Sequence, residues 1–546
     1  MSYYAAFILS TFIALGLTPV LMRYAVVIGV MDEPNERKVH SSAIPRIGGV
    51  AMVLATIIPL LIWLPFESPY IAICCAIMVI FLFGFWDDRK ELSYKYKFAG
   101  QILAALIVVL GGDLYVRELP FGIEASLSTP LLYVLSVFFL VGITNAMNMT
   151  DGLDGLAGGA TLLSFGLIAV LSIQSNAPDV LLITVAVVGG VLGFLRFNSH
   201  PAVVFMGDTG SQFLGFILGL ESIMLTQYGD LTLSKTLPLL ILGLPMFDTL
   251  IVMALRVKRG LSPFHADKNH IHHRLLGLGL SHFQAVVALY LIQATFVFTA
   301  YLIAYSHDLL PLLLFVVYGL LIVLSLWFFE NKKIIIPDYL SIKFVKKARV
   351  GIKQSAFVEM LAANFAPVLL LSILIIGILL RQDAIPRLTY DVALLSALIV
   401  LATIGSFFTR PSDAYYRILL ATFSALIVYL GIPLENDDYL IPFGYVDFPV
   451  FMGLFLWVLL TLYRGKVPEF KASPFDILIV LLLFVMPIIS EVGGGVRVYS
   501  FAFARFIILL YVFELLIGMR VIQSKKTCRF FLSFFAFAIA AKYLSI

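Results

Sequence analysis

Long apolar stretches recur along the whole chain, and short polar segments separate them. A helix of roughly 20 apolar residues spans the hydrocarbon core of a bilayer, which is about 30 Å thick. About seven such stretches lie between residues 357 and 545. Eleven more precede them, near residues 3–22, 48–64, 70–86, 98–111, 130–148, 157–174, 180–196, 212–226, 237–256, 283–305 and 309–329. The pattern predicts an all-α, polytopic integral membrane helix bundle.

Composition agrees with this pattern, and one segment divides the chain. Of the 546 residues, 61% are hydrophobic and 13% are charged, and no soluble globular fold hides that much apolar surface. The segment 331–356 is basic, contains proline and lacks a spanning stretch, which predicts a cytoplasmic linker. We therefore expect one membrane-embedded domain in residues 1–330 and an additional transmembrane bundle of unassigned role in residues 357–546.

Basic residues predict the orientation of the helices, because Lys and Arg in short loops accumulate on the cytoplasmic side. The loops after helices one, three, seven and nine carry fourteen Lys and Arg residues, whereas the opposite loops carry only Arg117 and Lys235. The N-terminus is therefore predicted outside. The first stretch has neither a basic start nor a small-residue cleavage site, so we expect a retained helix.

The residues capable of chemistry all fall on the predicted cytoplasmic loops. Five loops from distant parts of the chain that meet on one membrane face would form an assembled site. They are RKVHSSAIPRIGG (37–49), WDDRKEL (86–92), NAMNMTDGLDGL (145–156), FNSHPAVVFMGDTGSQ (197–212) and HADKNHIHHR (265–274).

Asp87 and Asp88 admit both an ordinary and a functional interpretation. They can be interfacial charges that Arg89 and Lys90 neutralise. If both face one cavity, their mutual repulsion favours a bound cation or a proton, which suits metal binding or general-base catalysis.

The segment 145–156 places Asp151 and Asp154 between apolar stretches. An aspartate at the bilayer centre costs about 3 kcal/mol, so both are expected in a loop or a protein-lined cavity. A polar turn in which Asp154 caps a helix is the simpler interpretation. It does not explain Asn145 and Asn148, which lie one helical turn apart on the face that approaches the loop.

Asp208 lies in the small-residue run GDTGS, where it can hold a hard cation or cap a helix. Four histidines crowd one basic loop, namely His265, His270, His272 and His273. Their spacing lacks the usual paired zinc pattern, and the surrounding basic residues favour an oxyanion. Carboxylates and amides that fit Mg²⁺, beside basic loops that fit phosphates, predict metal-assisted phosphoryl transfer.

Taken together, the motifs WDD, NMTDGLDGLAGG, FNSHPAVVFMGDTGS, LPMFDT (244–249) and HADKNHIHHR resemble those of the polyprenyl-phosphate N-acetylhexosamine-1-phosphate transferases, glycosyltransferase family 4. The resemblance covers roughly residues 1–330. PRIGG and the HIHH run are similar to the bacterial undecaprenyl-phosphate N-acetylglucosamine-1-phosphate transferase branch. The muramoyl-pentapeptide transferase branch is expected to show a TPTMGG-like loop and a plain triple histidine, which this chain lacks.

The resemblance implies a reaction and a location. A UDP-N-acetylhexosamine, with GlcNAc expected, gives its sugar 1-phosphate to undecaprenyl phosphate, which yields a lipid-diphosphate sugar and UMP. This is the initiating step of cell-surface polysaccharide synthesis, such as O-antigen or cell-wall polymer. The implied setting is the bacterial cytoplasmic membrane, with the site facing the cytoplasm; nucleic acid is not expected as a partner, and a homo-oligomer is left open.

The resemblance also implies residue roles. Asn148 and Asp208 match ligands of Mg²⁺, which Mn²⁺ can replace, and Asp87 and Asp88 match the pair that orients or deprotonates the lipid phosphate. His270 is implied in catalysis and diphosphate binding. The remaining implied substrate-binding residues are Lys38, His40, Asp151, Asp154, Asn198, His272, His273 and Arg274. Asp248 matches LPMFDT without an assigned role.

Three rival functions are left open by the residues themselves. A transporter would need polar groups near the midplane, where Glu221 is the main candidate. A phosphatidyl-type transferase would need an arginine where Gly158 follows Ala157. An inactive scaffold of related fold is the third. For a transferase, we expect direct attack of the lipid phosphate, with a covalent intermediate on Asp87 or Asp88 as the alternative.

Overall fold

A computed structural model describes residues 2–33, 43–229, 232–262 and 269–332, with 453–454, 508–509 and 512. Apart from residues 453–454, 508–509 and 512, the predicted bundle of residues 357–546 lies outside the described residues, as does nearly all of the predicted linker. The division of the chain at the linker therefore stays a prediction.

The described part of the chain is almost entirely helical, which confirms the all-α class. Its helices are α1 (Ser2–Ile28), α2 (Gly48–Trp63), α3 (Ser68–Lys90), α4 (Tyr94–Leu106), α5 (Thr129–Thr150), α6 (Leu156–Gln174), α7 (Pro178–Asn198), α8 (Gly207–Tyr228), α9 (Pro238–Ile241), α10 (Gly243–Lys258), α11 (Ile271–Gly277), α12 (His282–Leu302) and α13 (Leu309–Asn331). A π-helical turn, Ile107–Gly111, continues α4, and a 3-10 segment covers Pro120–Ser126. The strands β1 (Met31–Asp32) and β2 (Ile44–Pro45) pair in an antiparallel hairpin.

The eleven stretches predicted in residues 1–330 coincide with described helices, and eight of these helices are long and apolar enough to cross a membrane. One prediction needs correction, because the expected helix 237–256 is broken into α9 and α10. Gln293 on α12 stabilises the break: its Nε2 donates to Ile241 O at 3.0 Å, and Leu244 N donates to its Oε1 at 2.8 Å. A helix can break inside a membrane protein when a neighbouring side chain satisfies the freed backbone groups.

Helices α6, α7 and α8 form the centre of the described bundle. They are buried along most of their length, whereas α13 exposes much of its apolar surface. Helices α1 and α2 pack on α7, while α3 and α5 pack on α8. An apolar outer surface on a helix of this kind fits a lipid environment.

Glu221, the residue that a transporter would depend on, lies in the middle of α8. Its side chain is fully buried, and Thr184 Oγ1 on α7 lies 2.9 Å from its Oε2. The contact ties α8 to α7 within the protein interior. The polar residues singled out on the loops lie elsewhere, at the end of the bundle where α3, α5 and α7 finish and α4, α6, α8 and α12 begin.

Candidate active site

Asp88, in the last turn of α3, caps the N-terminus of α8. Its Oδ1 accepts a hydrogen bond from Asp208 N at 2.7 Å, and its Oδ2 accepts from Thr209 N at 2.9 Å and Thr209 Oγ1 at 2.5 Å. Gly207 has a φ of +66°, and a Cβ there would collide with the Asp88 carboxylate. Asp88 therefore holds Asp208 in place, and both of its oxygens are occupied by donors.

Lys97, in the first turns of α4, joins the other two carboxylates of this region. Its Nζ lies 2.5 Å from Asp87 Oδ2 and 2.7 Å from Asp208 Oδ2. Leu92 N donates to the second oxygen of Asp87 at 2.6 Å. One ammonium group thus bridges an aspartate from α3 and an aspartate from α8.

Asn148, near the end of α5, faces the first turn of α8. Ser211 Oγ lies 2.6 Å from Asn148 Oδ1 and 3.0 Å from Gly207 O. Asn148 and Asp208 therefore flank one helix start with an amide and a carboxylate, the hard oxygen donors that Mg²⁺ prefers. The predicted pair of metal ligands fits the donor set, since the carboxylates of Asp87, Asp88 and Asp208 outnumber the one ammonium group that neutralises them.

Asp151 begins the loop between α5 and α6 and is half-buried. Withdrawal from bulk water, followed by the negative charges of Asp208, Asp88 and Asp154, raises its pKa to about 7. The positive charge of Arg46 opposes that rise. The predicted nucleotide-handling residue thus has a carboxyl group that gains or loses its proton near neutral pH.

Asp154, three residues later, is held by the loop that follows α7. Its Oδ2 lies 2.7 Å from His200 Nδ1 and accepts from Ala202 N at 3.1 Å. Burial alone would raise the pKa of Asp154, but these hydrogen bonds and the nearby imidazoles hold it below its ordinary value. Asp154 is therefore an ionised anchor rather than the helix cap of the simpler interpretation.

Two further contacts fasten this loop. Asn198 Oδ1 accepts from Gly155 N at 3.0 Å, and Tyr290 OH donates to Gly155 O at 2.6 Å. Asn198, predicted to line the pocket, thus shapes the loop from the end of α7.

The side chains of Asp154, His200 and His282 could together hold a metal ion, since one ligand atom from each lies within 4.8 Å of the others. Their hydrogen bonds argue for a clamp instead. Asp154 N donates to His282 Nε2 at 3.1 Å, and the two imidazole rings stack with centroids 4.0 Å apart and planes at 19°. Stacked rings do not aim two nitrogen lone pairs at one ion.

Asp248 on α10 receives a role that the sequence left unassigned. Its Oδ2 lies 2.8 Å from His270 Nδ1, and its Oδ1 accepts from Ile271 N at 2.8 Å. The contact orients the His270 ring and fixes the start of α11, a helix that the sequence did not predict. A carboxylate behind a functional imidazole sets the tautomer and the direction of the ring.

His272 links the histidine segment to the loop after α5. A Cβ at Gly152 would collide with the His272 ring, so glycine permits this close approach. Burial, followed by the charges of the neighbouring histidines, lowers the pKa of His272 to about 3. His272 is therefore a neutral ring, and the ring of His273 lies 4.2 Å from it, centroid to centroid.

Arg274 engages a carboxylate of the protein. Its Nε and one terminal nitrogen donate to the two oxygens of Glu330 on α13 at 2.7 and 2.8 Å. Substrate binding by Arg274 stays a prediction. Lys38, His40 and His265 lie outside the described residues, so their predicted positions stay untested as well.

Sequence reasoning did not single out Arg46 or Lys97 for the site. Arg46 pairs with Asp32 across the β1–β2 hairpin. Beside it, Phe205 N donates to Pro45 O at 2.8 Å and Gly49 N donates to Met206 O at 3.0 Å, so PRIGG abuts the segment before Asp208. Two features of the sequence could have pointed to them. Arg46 is the basic residue of the PRIGG motif, and Lys97 lies one turn into the helix that follows the WDD motif.

Comparison with known proteins shows what the chain is similar to. The sequence profile of glycosyl transferase family 4 matches residues 70–226. A probable undecaprenyl-phosphate N-acetylglucosaminyl 1-phosphate transferase of Bacillus subtilis (strain 168) is 38% identical over 324 residues, which are 59% of this chain and 90% of that protein. An undecaprenyl-phosphate alpha-N-acetylglucosaminyl 1-phosphate transferase of Yersinia pestis is 32% identical over 284 residues, 50% of this chain and 77% of that protein. A decaprenyl-phosphate N-acetylglucosaminephosphotransferase of Mycolicibacterium smegmatis is 36% identical over 312 residues, 52% of this chain and 76% of that protein.

Proposed function

This chain belongs to glycosyl transferase family 4 and is a polyprenyl-phosphate sugar-1-phosphate transferase, and we propose that its donor is a UDP-N-acetylhexosamine, with GlcNAc foremost. The proposed acceptor is undecaprenyl phosphate, which the names of the Bacillus and Yersinia relatives include. An oxygen of the acceptor phosphate attacks the β-phosphorus of the donor, and the bond between the two donor phosphates breaks. The products are the lipid-diphosphate sugar and UMP.

The observation that carries this proposal is the Lys97 bridge between Asp87 and Asp208 at the start of α8. Both reactants are anions, so a site lined by carboxylates needs a fixed positive charge before a phosphate can approach. Lys97 supplies that charge at the start of α4. In this proposal Asp87 orients the acceptor phosphate, while Asp88 positions Asp208 through the hydrogen bond from Asp208 N.

Asp208 and Asn148 are the proposed ligands of Mg²⁺, with Mn²⁺ as a substitute. When bound there, the ion would neutralise phosphate oxygens of the donor during transfer. Asp151, Asp154 and Asn198 belong to the proposed nucleotide side of the site.

On the other side of the 151–155 loop, His272 offers a ring N–H group to the diphosphate. The Nδ1 of His270 is engaged by Asp248, so the remaining Nε2 of His270 can donate to a phosphate oxygen only when the ring is an imidazolium. Asp248 fixes the direction of the His270 ring. Because His272 is neutral, it contributes a hydrogen bond rather than a charge. We propose that this whole site faces the cytoplasm, that the N-terminus lies outside, and that the reaction initiates synthesis of a cell-surface polysaccharide.

Direct transfer is favoured over a covalent aspartyl intermediate. Both oxygens of Asp88 accept hydrogen bonds from the start of α8, and Asp87 is engaged by Leu92 N and Lys97. A carboxylate engaged in this way is a poor nucleophile. Robust exchange of labelled UMP into the UDP-sugar without lipid acceptor would contradict direct transfer.

The decisive experiment uses purified full-length protein with undecaprenyl phosphate, Mg²⁺ and a panel of UDP-sugars. We expect UMP release and a lipid-diphosphate sugar with UDP-N-acetylglucosamine. The Asp208→Asn variant should lose both products, and chelation of the metal should do the same. Release of UMP from none of the donors would overturn the proposed function and favour the inactive-scaffold alternative. Unchanged output from Asp208→Asn would remove Asp208 from the proposed metal ligands.

A further inference from the structure

Three side-chain amides, of which Gln101 and Gln212 are buried and Asn145 is half-buried, lie one helical turn deeper in the bundle than three residues of the proposed site. On α4, Gln101 follows Lys97 by four residues; on α5, Asn145 precedes Asn148 by three; on α8, Gln212 follows Asp208 by four. Side chains three or four residues apart share one face of a helix. Each of the three helices therefore presents a site residue and, about 5.4 Å below it, an amide.

The three amides bond to one another. Asn145 Nδ2 donates to Gln101 Oε1 at 2.6 Å, and Gln101 Nε2 donates to Gln212 Oε1 at 3.0 Å. The second hydrogen of Asn145 Nδ2 goes to Val141 O of its own helix at 2.8 Å. Gln101 is the hub, because its carbonyl serves α5 and its amino group serves α8.

Burial of these amide side chains would be unfavourable without the hydrogen bonds between them. Gln101 and Gln212 are each 1% exposed, and a buried amide without a partner costs about 1 to 3 kcal/mol. The two bonds among the three amides form together only when α4, α5 and α8 keep one mutual register and rotation. A slip of any one of these helices would leave unpaired polar groups inside an apolar bundle.

We propose that Gln101, Asn145 and Gln212 form a positioning layer that fixes the register of α4, α5 and α8, so that Lys97, Asn148 and Asp208 converge on one site. The layer acts through the residues above it and touches no reacting group. The inference rests on the proposed function where it is tested by sugar-phosphate transfer. Where it is tested by metal binding, it rests on Asn148 and Asp208 as the proposed metal ligands.

The test compares wild type with Gln101→Leu, Gln101→Glu and Gln212→Leu as full-length proteins. We expect Gln101→Leu to raise the Mg²⁺ concentration for half-maximal transfer by about tenfold, the usual effect of removing a residue that supports metal ligands. Gln101→Glu keeps the acceptor for Asn145 and loses the donor to Gln212, so its shift should be smaller. Gln212→Leu removes one bond and covers the case in which Gln101→Leu does not fold.

Gln293→Leu is the matched control, because Gln293 is an equally buried amide whose partners are on α6, α9 and α10. It should lower the melting temperature as the other leucine variants do and leave the Mg²⁺ requirement unchanged. A purely structural role for the layer would make all the leucine variants behave like this control and would overturn the proposal.

A second readout separates this proposal from the proposed function. Mn²⁺ titrated into the purified protein and followed by electron paramagnetic resonance measures metal affinity without turnover. If wild type transfers no sugar phosphate but binds Mn²⁺ more tightly than Gln101→Leu, the proposed function fails and the positioning layer is supported. Equal Mn²⁺ binding by wild type, Gln101→Leu and Gln212→Leu, or no binding by wild type, would contradict the positioning layer.

Discussion

The Nζ of Lys97 lies 2.7 Å from Oδ2 of Asp208, although 111 residues separate the two in the chain. The contact brings the start of α4 to the start of α8, where Asp88 already caps the helix. A cation at this point balances carboxylates that would otherwise repel both substrates. The ammonium group of Lys97 therefore lies in direct contact with the carboxylate of Asp208.

Lys97→Met should lower the turnover number by about a hundredfold, the usual scale for removing one fixed electrostatic group from a phosphoryl-transfer site. Lys97→Arg should retain part of the activity, because the charge persists with a different shape. Rates of UMP release with saturating donor measure the effect. Lys95→Met is the control, since Lys95 is an exposed cation on the same helix; equal losses at residues 95 and 97 would point to surface charge rather than to the bridge.

Replacement of Asp88 and replacement of Asp208 should affect the stability of the protein differently. Asp88→Ala removes the acceptor of three hydrogen bonds from Asp208 and Thr209 and should destabilise the protein by about 1 to 2 kcal/mol, as loss of a helix cap does. Asp208→Asn leaves the cap intact and should abolish transfer without lowering the melting temperature. Thermal unfolding in detergent checks both. A fully stable Asp88→Ala protein without activity would instead assign Asp88 to the chemistry.

The bundle could be predicted because lipid solubility is a property of consecutive residues. The break between α9 and α10 could not, since the side chain that satisfies it, Gln293, lies on another helix. The pair Asp87 and Asp88 looks equivalent in sequence, yet successive helix residues point about 100° apart. One carboxylate therefore meets Lys97 and the other meets α8.

The candidate site was predictable as a set of loops but not as a set of contacts. Asp248 stayed without a role because its partner His270 lies on another segment. From the sequence, Lys97 contributed only to the prediction of orientation, as one of the basic loop residues. Both partners are distant in the chain, and one sequence carries no record of which distant residues meet.

The raised pKa of Asp151 predicts a pH-dependent stability of definite sign. Its carboxyl has a pKa of about 7 in the folded protein against an ordinary 3.8, so its contribution to stability is present below the ordinary value and is lost as pH rises through about 7. Asp151→Asn should therefore lose less stability than wild type between about pH 5 and about pH 8. Melting temperatures at the two pH values measure the difference.

Asp154→Asn provides the matched comparison for that measurement. The pKa of Asp154 is already below its ordinary value, so this group is ionised throughout the same pH range, folded or unfolded. Its replacement should lower the melting temperature by a similar amount at both pH values. A wild-type pH profile that Asp151→Asn reproduces would show that Asp151 is ionised in the folded protein.

Asp248→Asn should impair the histidine segment without removing a histidine. The amide cannot stabilise the same orientation and tautomer of His270, so we expect the specificity constant for the UDP-sugar to fall by about 10- to 100-fold. Steady-state kinetics with varied donor measure this effect. The dependence on lipid acceptor should change little, and an equal loss for donor and acceptor would indicate general disruption of the fold.

The Arg274–Glu330 pair decides between two roles for Arg274. If the arginine binds the diphosphate, Glu330→Gln frees it and should leave the KM for the UDP-sugar unchanged or lower it, whereas Arg274→Gln should raise that KM several-fold. If the arginine only ties α11 to α13, both variants should have the same small effect on stability, within about 1 kcal/mol for a pair that solvent reaches through Glu330, and neither should alter the KM. Because the resemblance implies substrate binding, we expect the first outcome, in which the two variants move the KM differently; identical kinetics in both variants would remove Arg274 from the substrate-binding set.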